Sequence, residues 1–326
     1  METPIRQHRK ILIDTICNKF TEYFSSFGCI WEDSVLVSSG IDPTVRFIGS
    51  HISVFKKYLI DTELPTNGVM IVQDCVRTKN LKRYSDDEFY PSWGSFFTSI
   101  GALVPFNQIE EIANLTINFL YSVLEIKEND LILRVNSKDR DLYRLAEKTI
   151  RNKELIEVNA KNIEYYRHKI GLESVFGRNF NYALLNRING EIEDIGNFII
   201  LEKNGVPHSI EIALGTSTII KILHSFSHVL DCYPLVLQLN ESVNEALRIQ
   251  IEDCIITSSK LLSEGLLPSN KHNRNRILKK YILRIDEIKS TLGLNGNNLL
   301  NSIFDYEIEE RRINTPLFEY LKTNHK

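Results

Sequence analysis

Residues 276–289 set four cations, Arg276, Lys279, Lys280 and Arg284, along one side of a helical repeat. Leu278, Tyr281, Ile282, Ile285 and Ile288 recur on the opposite side. That spacing predicts a helix with a buried apolar stripe and a basic outer face. Lys271 and Arg274 stand just upstream. Cations aligned in this way suit the tracking of phosphate oxygens, with an affinity that falls as salt rises. The competing reading is a charged face that is only solvated. A Gly-Leu-Leu-Pro-Ser-Asn break at 265–270 separates this helix from the one before it.

Several other chemistries are excluded by pattern. There is no G-x-x-x-x-G-K-[ST] loop and no G-x-G-x-x-G turn. The five cysteines, Cys17, Cys29, Cys75, Cys232 and Cys254, are scattered and form no C-x-x-C. Neither a protein-held metal nor a disulfide framework is expected. Over 326 residues the net charge is −3, so any nucleic-acid surface must be a local patch. Apolar content of 43% and charged content of 25% are those of a globular protein. No apolar run reaches the ~18 residues of a membrane span. The first residues lack the apolar core of a signal peptide. A cytoplasmic protein with buried thiols is expected.

The elements that must position this chemistry follow from hydrophobic period. Ile13, Ile16, Cys17, Phe20 and Phe24 predict an amphipathic helix over 8–27, stopped by Gly28. Strands are predicted at 69–76, 95–104, 130–136, 197–202 and 208–214, where β-branched and aromatic residues gather. Residues 78–94 read as a long loop, 107–124 and 139–152 as helices, and 153–194 as an irregular insertion. A helix is predicted from near Gly215 to about Leu230. From 241 the pattern is helical throughout, which puts a boundary at 231–240 and divides the chain into 1–235 and 236–326. Strict β-α alternation is absent, so the fold expected is α+β, an antiparallel sheet flanked by helices and followed by a small all-helical domain.

Short segments of this chain resemble a known family in the same order. DPTVRFIGSHISVFKKYL at 42–59 is similar to a D-P-T-x-x-F…F-K block of alanyl-tRNA synthetases, with Gly49-Ser50-His51 where that family has Asn-Ala-Gly. VQDCVR at 72–77 and SFFTSIGA at 95–102 resemble its Q-x-C-x-R and F-F-E-M-L-G segments, with Thr98 in place of the glutamate. GNFIILEKNG at 196–205 resembles W-N-x-V-F-x-Q-F. HSIEIALGTSTIIKILH at 208–224 resembles the third class II motif, S-V-D-x-G-x-G-x-E-R. GLLPSNKHNRNR at 265–276 resembles the family's G-x-x-P-S-N-x-x-R-G loop ahead of an Arg-rich helix.

What the resemblance implies is an antiparallel-sheet catalytic domain of the class II aminoacyl-tRNA synthetase type, with the start of a tRNA-recognition helical region. It implies ATP with Mg²⁺, an amino acid, and tRNA or another small acceptor or carrier as partners, and it admits a homodimer. Arg77 falls at the arginine that holds the α-phosphate and the substrate carboxylate. A planar guanidinium suits that task, because adenylation brings two anions together. Phe97 falls where an aromatic stacks on adenine; its plain alternative is strand packing. Asn197, Glu211 and Ala213 fall at the amino-acid pocket. Glu211 stands for the aspartate that holds the α-ammonium, and its alternative is a solvent-facing strand residue. Gly215 is retained in the ATP motif. Ser217-Thr218 replaces the Glu-Arg pair, and the lost arginine is the one that grips the γ-phosphate. Lys221 or Arg178 is a candidate replacement, and each reads equally as a solvated cation. Asn270 and Asn273 fall in the acceptor-stem loop, with Arg274, Arg276, Lys279, Lys280 and Arg284 as RNA contacts. Three functions follow: an amino-acid-activating enzyme, a non-catalytic binding or regulatory paralogue, and a user of aminoacyl-tRNA.

Overall fold

A computed structural model describes residues 9–239 and 243–324. The chain opens with α1 (Lys10–Phe27), the short strand β1 (Ile30–Trp31), α2 (Ile52–Ile60), β2 (Val69–Val76) and β3 (Phe96–Pro105). Then come α3 (Ile109–Asn118), β4 (Leu131–Val135), α4 (Arg140–Thr149), β5 (Ile156–Val158) and β6 (Arg167–Lys169). The long strands β7 (Val175–Leu185), β8 (Ile192–Lys203) and β9 (Val206–Gly215) lead into α5 (Thr216–Leu223). Four helices close the chain: α6 (Glu245–Ser263), α7 (Asn273–Thr291), α8 (Gly296–Glu309) and α9 (Pro316–Asn324). This is the expected α+β class, a large sheet flanked by helices with a C-terminal helical region.

The strands form one sheet in the order β1-β2-β3-β9-β8-β7-β4-β5, with β6 on β7. Pairing is antiparallel from β2 through β4, and parallel only at the two ends, β1–β2 and β4–β5. The register explains the two faces. Strand side chains alternate, so even-numbered residues of β3, β7, β8 and β9 share one side. Ile100, Ala102, Phe180, Phe198, Ile200, Ile210 and Ile212 all lie there in the main core, with Phe20 and Phe24 of α1 against them. Odd-numbered residues face the other way. At one end of that second face Leu103, Ile199 and Leu201 pack with Val54, Phe55 and Leu59 of α2 in a smaller core. The remainder of the second face is not covered by a helix, and it forms the floor of a cleft.

The apolar stripe predicted for the first helix is the buried stripe of α1, and Gly28 ends it with φ of 100°, a conformation that favours glycine. The expected start at residue 8 lies outside the described residues, as do 240–242 within the expected boundary segment. β2 has the predicted bounds. Two readings are corrected. Residues 153–194 are not an irregular insertion, because they contain β5, β6, β7 and the first part of β8. The sequence there hides its period: β7 carries Asn179 and Asn181 on the cleft side, where a strand packed on both faces would show apolar residues. The helix expected to about Leu230 ends at Leu223, with His224 as its cap.

The C-terminal helices share the main core with the sheet, through Leu247, Ile251, Ile255, Leu278, Tyr281 and Tyr306 among others. Polar anchors add to this. The Asp253 carboxylate of α6 accepts the Ser95 amide and the Ser95 and Tyr84 hydroxyls. Glu264 accepts both the Val37 and Ser38 amides at 3.0 and 3.1 Å. All five cysteines are buried and unpaired, and burial pushes the Cys17 and Cys29 thiols up to about 12. No helix among the described residues is long and apolar enough to cross a membrane.

Candidate active-site cleft

The cleft on the second sheet face has a volume of about 420 Å³. Arg77, Phe97, Asn197, Glu211, Ala213, Gly215 and Thr218 all line it. Those positions span more than a hundred residues of sequence, yet the register brings them together. Ala213 of β9 pairs with Gly101 of β3 on one side and with Asn197 of β8 on the other, and Glu211 pairs with Leu103 and Ile199. Odd numbering puts the side chains of Phe97, Asn197, Glu211 and Ala213 on that second face, where they line the cleft.

The segment before α2 organises both ends of the cleft. Gly49 gives its carbonyl to Arg77 Nε at 2.8 Å. Two residues on, the His51 ring is wholly buried and reaches Glu211, with Nε2 lying 3.2 Å from Oε1. His51 Nδ1 lies 2.8 Å from the Ser99 hydroxyl. Room for the ring comes from Gly101, where a Cβ would sit 2.2 Å from the imidazole. Glu211 is therefore a buried carboxylate aimed at the cleft, not a solvent-facing strand residue.

At the other end the Arg77 guanidinium is exposed and lies 4.8 Å from the Phe97 ring centroid. Phe97 is half-buried, and Trp93 is a second aromatic in the wall. A half-exposed ring with a guanidinium on one face is suited to stacking a planar base beside a phosphate. Thr218 and Ser217, in the first turn of α5, line the same region.

The two candidate replacements for the missing arginine are not in the cleft lining. Lys221 Nζ binds Glu193 at 2.7 and 2.9 Å. Arg178 is held by Asp139, by both oxygens of Asp141 and by Glu202. Those carboxylates drive its pKa further up, so it is a fixed structural cation. The cationic helix face is also corrected at one position. Arg284 is buried and bonds Gln250 and Asp87, because α7 turns that flank against α6. Arg276 and Lys280 are exposed, and Lys279 is half-buried. Arg276 and Lys279 touch the backbone and side-chain oxygens of the exposed Asn270. Asn273 is exposed at the start of α7, and Arg274 donates to the Arg46 carbonyl while covering Gly40.

Sequence reading missed the far wall of the cleft. His168, Asn181 and Asp194 line it, all from the stretch taken as irregular. Burial lowers the His168 pKa and raises that of Asp194, the latter despite the neighbouring Arg134 at 2.9 Å. Asn-x-Asn at 179–181 between aromatic residues was the available signal for a polar-faced strand.

No family model matches this chain, and no curated protein matches it by sequence. Solved structures of similar shape include the RNA binding domain of threonyl-tRNA synthetase from Cryptosporidium parvum Iowa II. It has a TM-score of 0.43 and 11% identity over 66% of this chain and 64% of that one. Entamoeba histolytica asparaginyl-tRNA synthetase, in complex with asparaginyl-adenylate, has a TM-score of 0.43 and 10% identity, covering 70% and 66%. The putative threonyl-tRNA synthetase ThrRS-1 from Aeropyrum pernix has a TM-score of 0.40 and 11% identity, covering 78% and 69%. The chain spans just under two thirds of the length of the first two.

Among the described residues, no group of three or more His, Cys, Asp or Glu is placed to hold a metal ion.

Proposed function

We propose that this protein is an alanyl-tRNA synthetase-like, class II type enzyme that joins an amino acid to AMP in the cleft. The observation that carries the reading is the meeting of Arg77, Phe97, Asn197, Glu211 and Ala213 on one uncovered sheet face. Each of the five stands at a motif position of the resemblance. In the reaction, a carboxylate oxygen of the amino acid attacks the α-phosphorus of ATP. The bond to the bridging oxygen breaks and pyrophosphate leaves. Arg77 neutralises the carboxylate and the α-phosphate together and stabilises the charge that develops between them. Phe97 stacks the adenine. Glu211, braced by His51, takes the α-ammonium. The adenylate then passes its aminoacyl group to tRNA or another small acceptor, with the exposed cations of α7 as the RNA-facing surface.

One observation favours a second reading. Lys221 and Arg178 are both committed to carboxylates, so Thr218 stands alone where the family's γ-phosphate arginine would be. A protein that binds an adenylate-like ligand without turnover fits that arrangement. ATP–pyrophosphate exchange separates the two. Exchange dependent on one amino acid, and lost in Arg77→Ala, supports the enzyme. Absence of exchange with every amino acid, from folded protein with Mg²⁺, refutes it and leaves the binding protein.

A further inference from the structure

The far wall of the cleft is built for a hydrogen-bond donor. Its bonding pattern can be assigned without ambiguity, because a carboxylate only accepts. Asn181 Nδ2 approaches Asp194 Oδ2 at 3.3 Å and the Tyr165 hydroxyl at 2.8 Å, so its amide nitrogen is spent there. Asn181 Oδ1 therefore accepts from Asn179 Nδ2. That orientation turns Asn179 Oδ1 the other way, toward the His168 ring that donates to it. The Asn179 and Asn181 amide groups are used internally, and the capacity left facing the cleft is acceptor capacity, the remaining lone pairs of the Asp194 carboxylate.

Charge points the same way. Arg134 binds Asp194 and Glu157 at 2.9 and 2.7 Å, so one guanidinium faces two carboxylates. Glu211 adds a third negative group to this end of the cleft. Lys169, which also lines it, is exposed to solvent. A substrate ammonium offsets one charge, and an anionic side chain would meet Asp194. The separation is also informative. β9, which carries Glu211, and β7, which carries Asn181, lie two strands apart, about 10 Å. A methyl group projecting from an amino acid held at Glu211 brings no donor to the remaining lone pairs of Asp194.

We propose that the cleft selects an amino acid whose side chain ends in a neutral or cationic hydrogen-bond donor, and that Asp194, oriented by Asn181 and Arg134, is the residue that reads it. This rests on the reading of the cleft as an amino-acid and adenylate site. A ligand that strips water from the Asp194 carboxylate and brings no donor in exchange is disfavoured, as for any polar group that loses a hydrogen bond on burial.

The test is calorimetric binding of the full chain to a panel of non-hydrolysable aminoacyl-sulfamoyl adenosines. The panel holds the alanyl, leucyl, seryl, asparaginyl, glutaminyl, lysyl and aspartyl compounds. At least one donor-ended compound is expected to bind about 10- to 100-fold more tightly than the alanyl and leucyl ones. Asp194→Ala and Asn181→Ala should each remove most of that preference while changing alanyl binding by less than about threefold. Tightest binding of the alanyl, leucyl or aspartyl compound overturns the proposal, as does a preference that survives both substitutions. If no compound in the panel binds, the amino-acid and adenylate reading of the cleft fails, and this inference falls with it. Should one variant fail to fold, the other and the wild-type panel still decide.

Discussion

His51 Nε2 lies 3.2 Å from Glu211 Oε1, with both side chains almost completely removed from solvent. A buried carboxylate needs a partner, and here the partner comes from the segment before α2, on the same sheet face. The ring is itself fixed by Ser99 and by the room over Gly101. Glu211→Gln keeps the shape and removes the charge. It should raise KM for the amino acid at least tenfold in pyrophosphate exchange while leaving KM for ATP within about threefold, since an ammonium–carboxylate contact is worth ~1.5–3 kcal/mol. Equal effects on both substrates would contradict the assignment of Glu211 to the ammonium.

Gly101→Ala tests the same relationship by sterics. The added Cβ falls 2.2 Å from the His51 ring, which cannot swing aside without breaking its contacts to Ser99 and Glu211. A loss of ~1–3 kcal/mol in denaturant unfolding is expected, as for other overpacked cores. Unchanged stability would mean that the ring is free to move.

Arg284 and Lys280 were grouped by sequence on one cationic face, and the fold separates them. Arg284→Ala strips the charge partner from Asp87 and a donor pair from Gln250. Breaking such a buried pair typically costs ~3–5 kcal/mol, although half-exposed Asp87 moderates it toward the lower figure. Lys280→Ala, at an exposed position, should leave stability within about 0.5 kcal/mol. If α7 faces RNA, Lys280→Ala lowers the salt slope of RNA binding by about one. Melting temperatures and a salt titration of the two variants check both statements.

Two buried groups give stability opposite pH dependences. His228 donates Nε2–H to the Pro91 carbonyl at 2.7 Å and accepts the Leu230 amide at Nδ1, so only the neutral ring satisfies both bonds. Burial lowers its pKa to about 4. The stability it contributes is present above the ordinary histidine value of 6.5 and is lost as pH falls toward 4. Asp253 behaves in reverse. Burial raises its carboxyl to about 6, against the donors Ser95 and Tyr84. The folded state then holds its proton more tightly than the unfolded state, so stability falls as pH rises from about 4 to 6. Each shift corresponds to about 3 kcal/mol. The stability of Asp253→Asn relative to wild type should therefore rise across that window. That of His228→Gln relative to wild type should fall from pH 4 to 6.5. Urea unfolding at stepped pH measures both, and parallel curves for wild type and variant would refute the corresponding assignment.

Much of this protein was legible in its sequence because the signals are local. The α1 stripe from Ile13 to Phe24, the bounds of β2 and the apolar stripe of α7 all follow from a period that one segment carries by itself. Arg77, Phe97, Asn197 and Glu211 could be singled out by type and order, because each sits in a short recognisable string. Their meeting in one cleft was decided by strand register, which pairs Ala213 with both Gly101 and Asn197. The sequence could not say which cations remain available. Lys221, Arg178 and Arg284 are ordinary basic residues in one dimension, and each is committed by a carboxylate at least 28 positions away, to Glu193, Asp141 and Asp87 respectively. Nor could it reveal the Asn181–Asp194 wall, since the Asn-Phe-Asn-Tyr alternation is only four residues long and a register shift between Tyr182 and Ala183 decides that Asp194 shares the face of Asn181. Period is a property of neighbours along the chain, whereas partner choice is a property of neighbours in space.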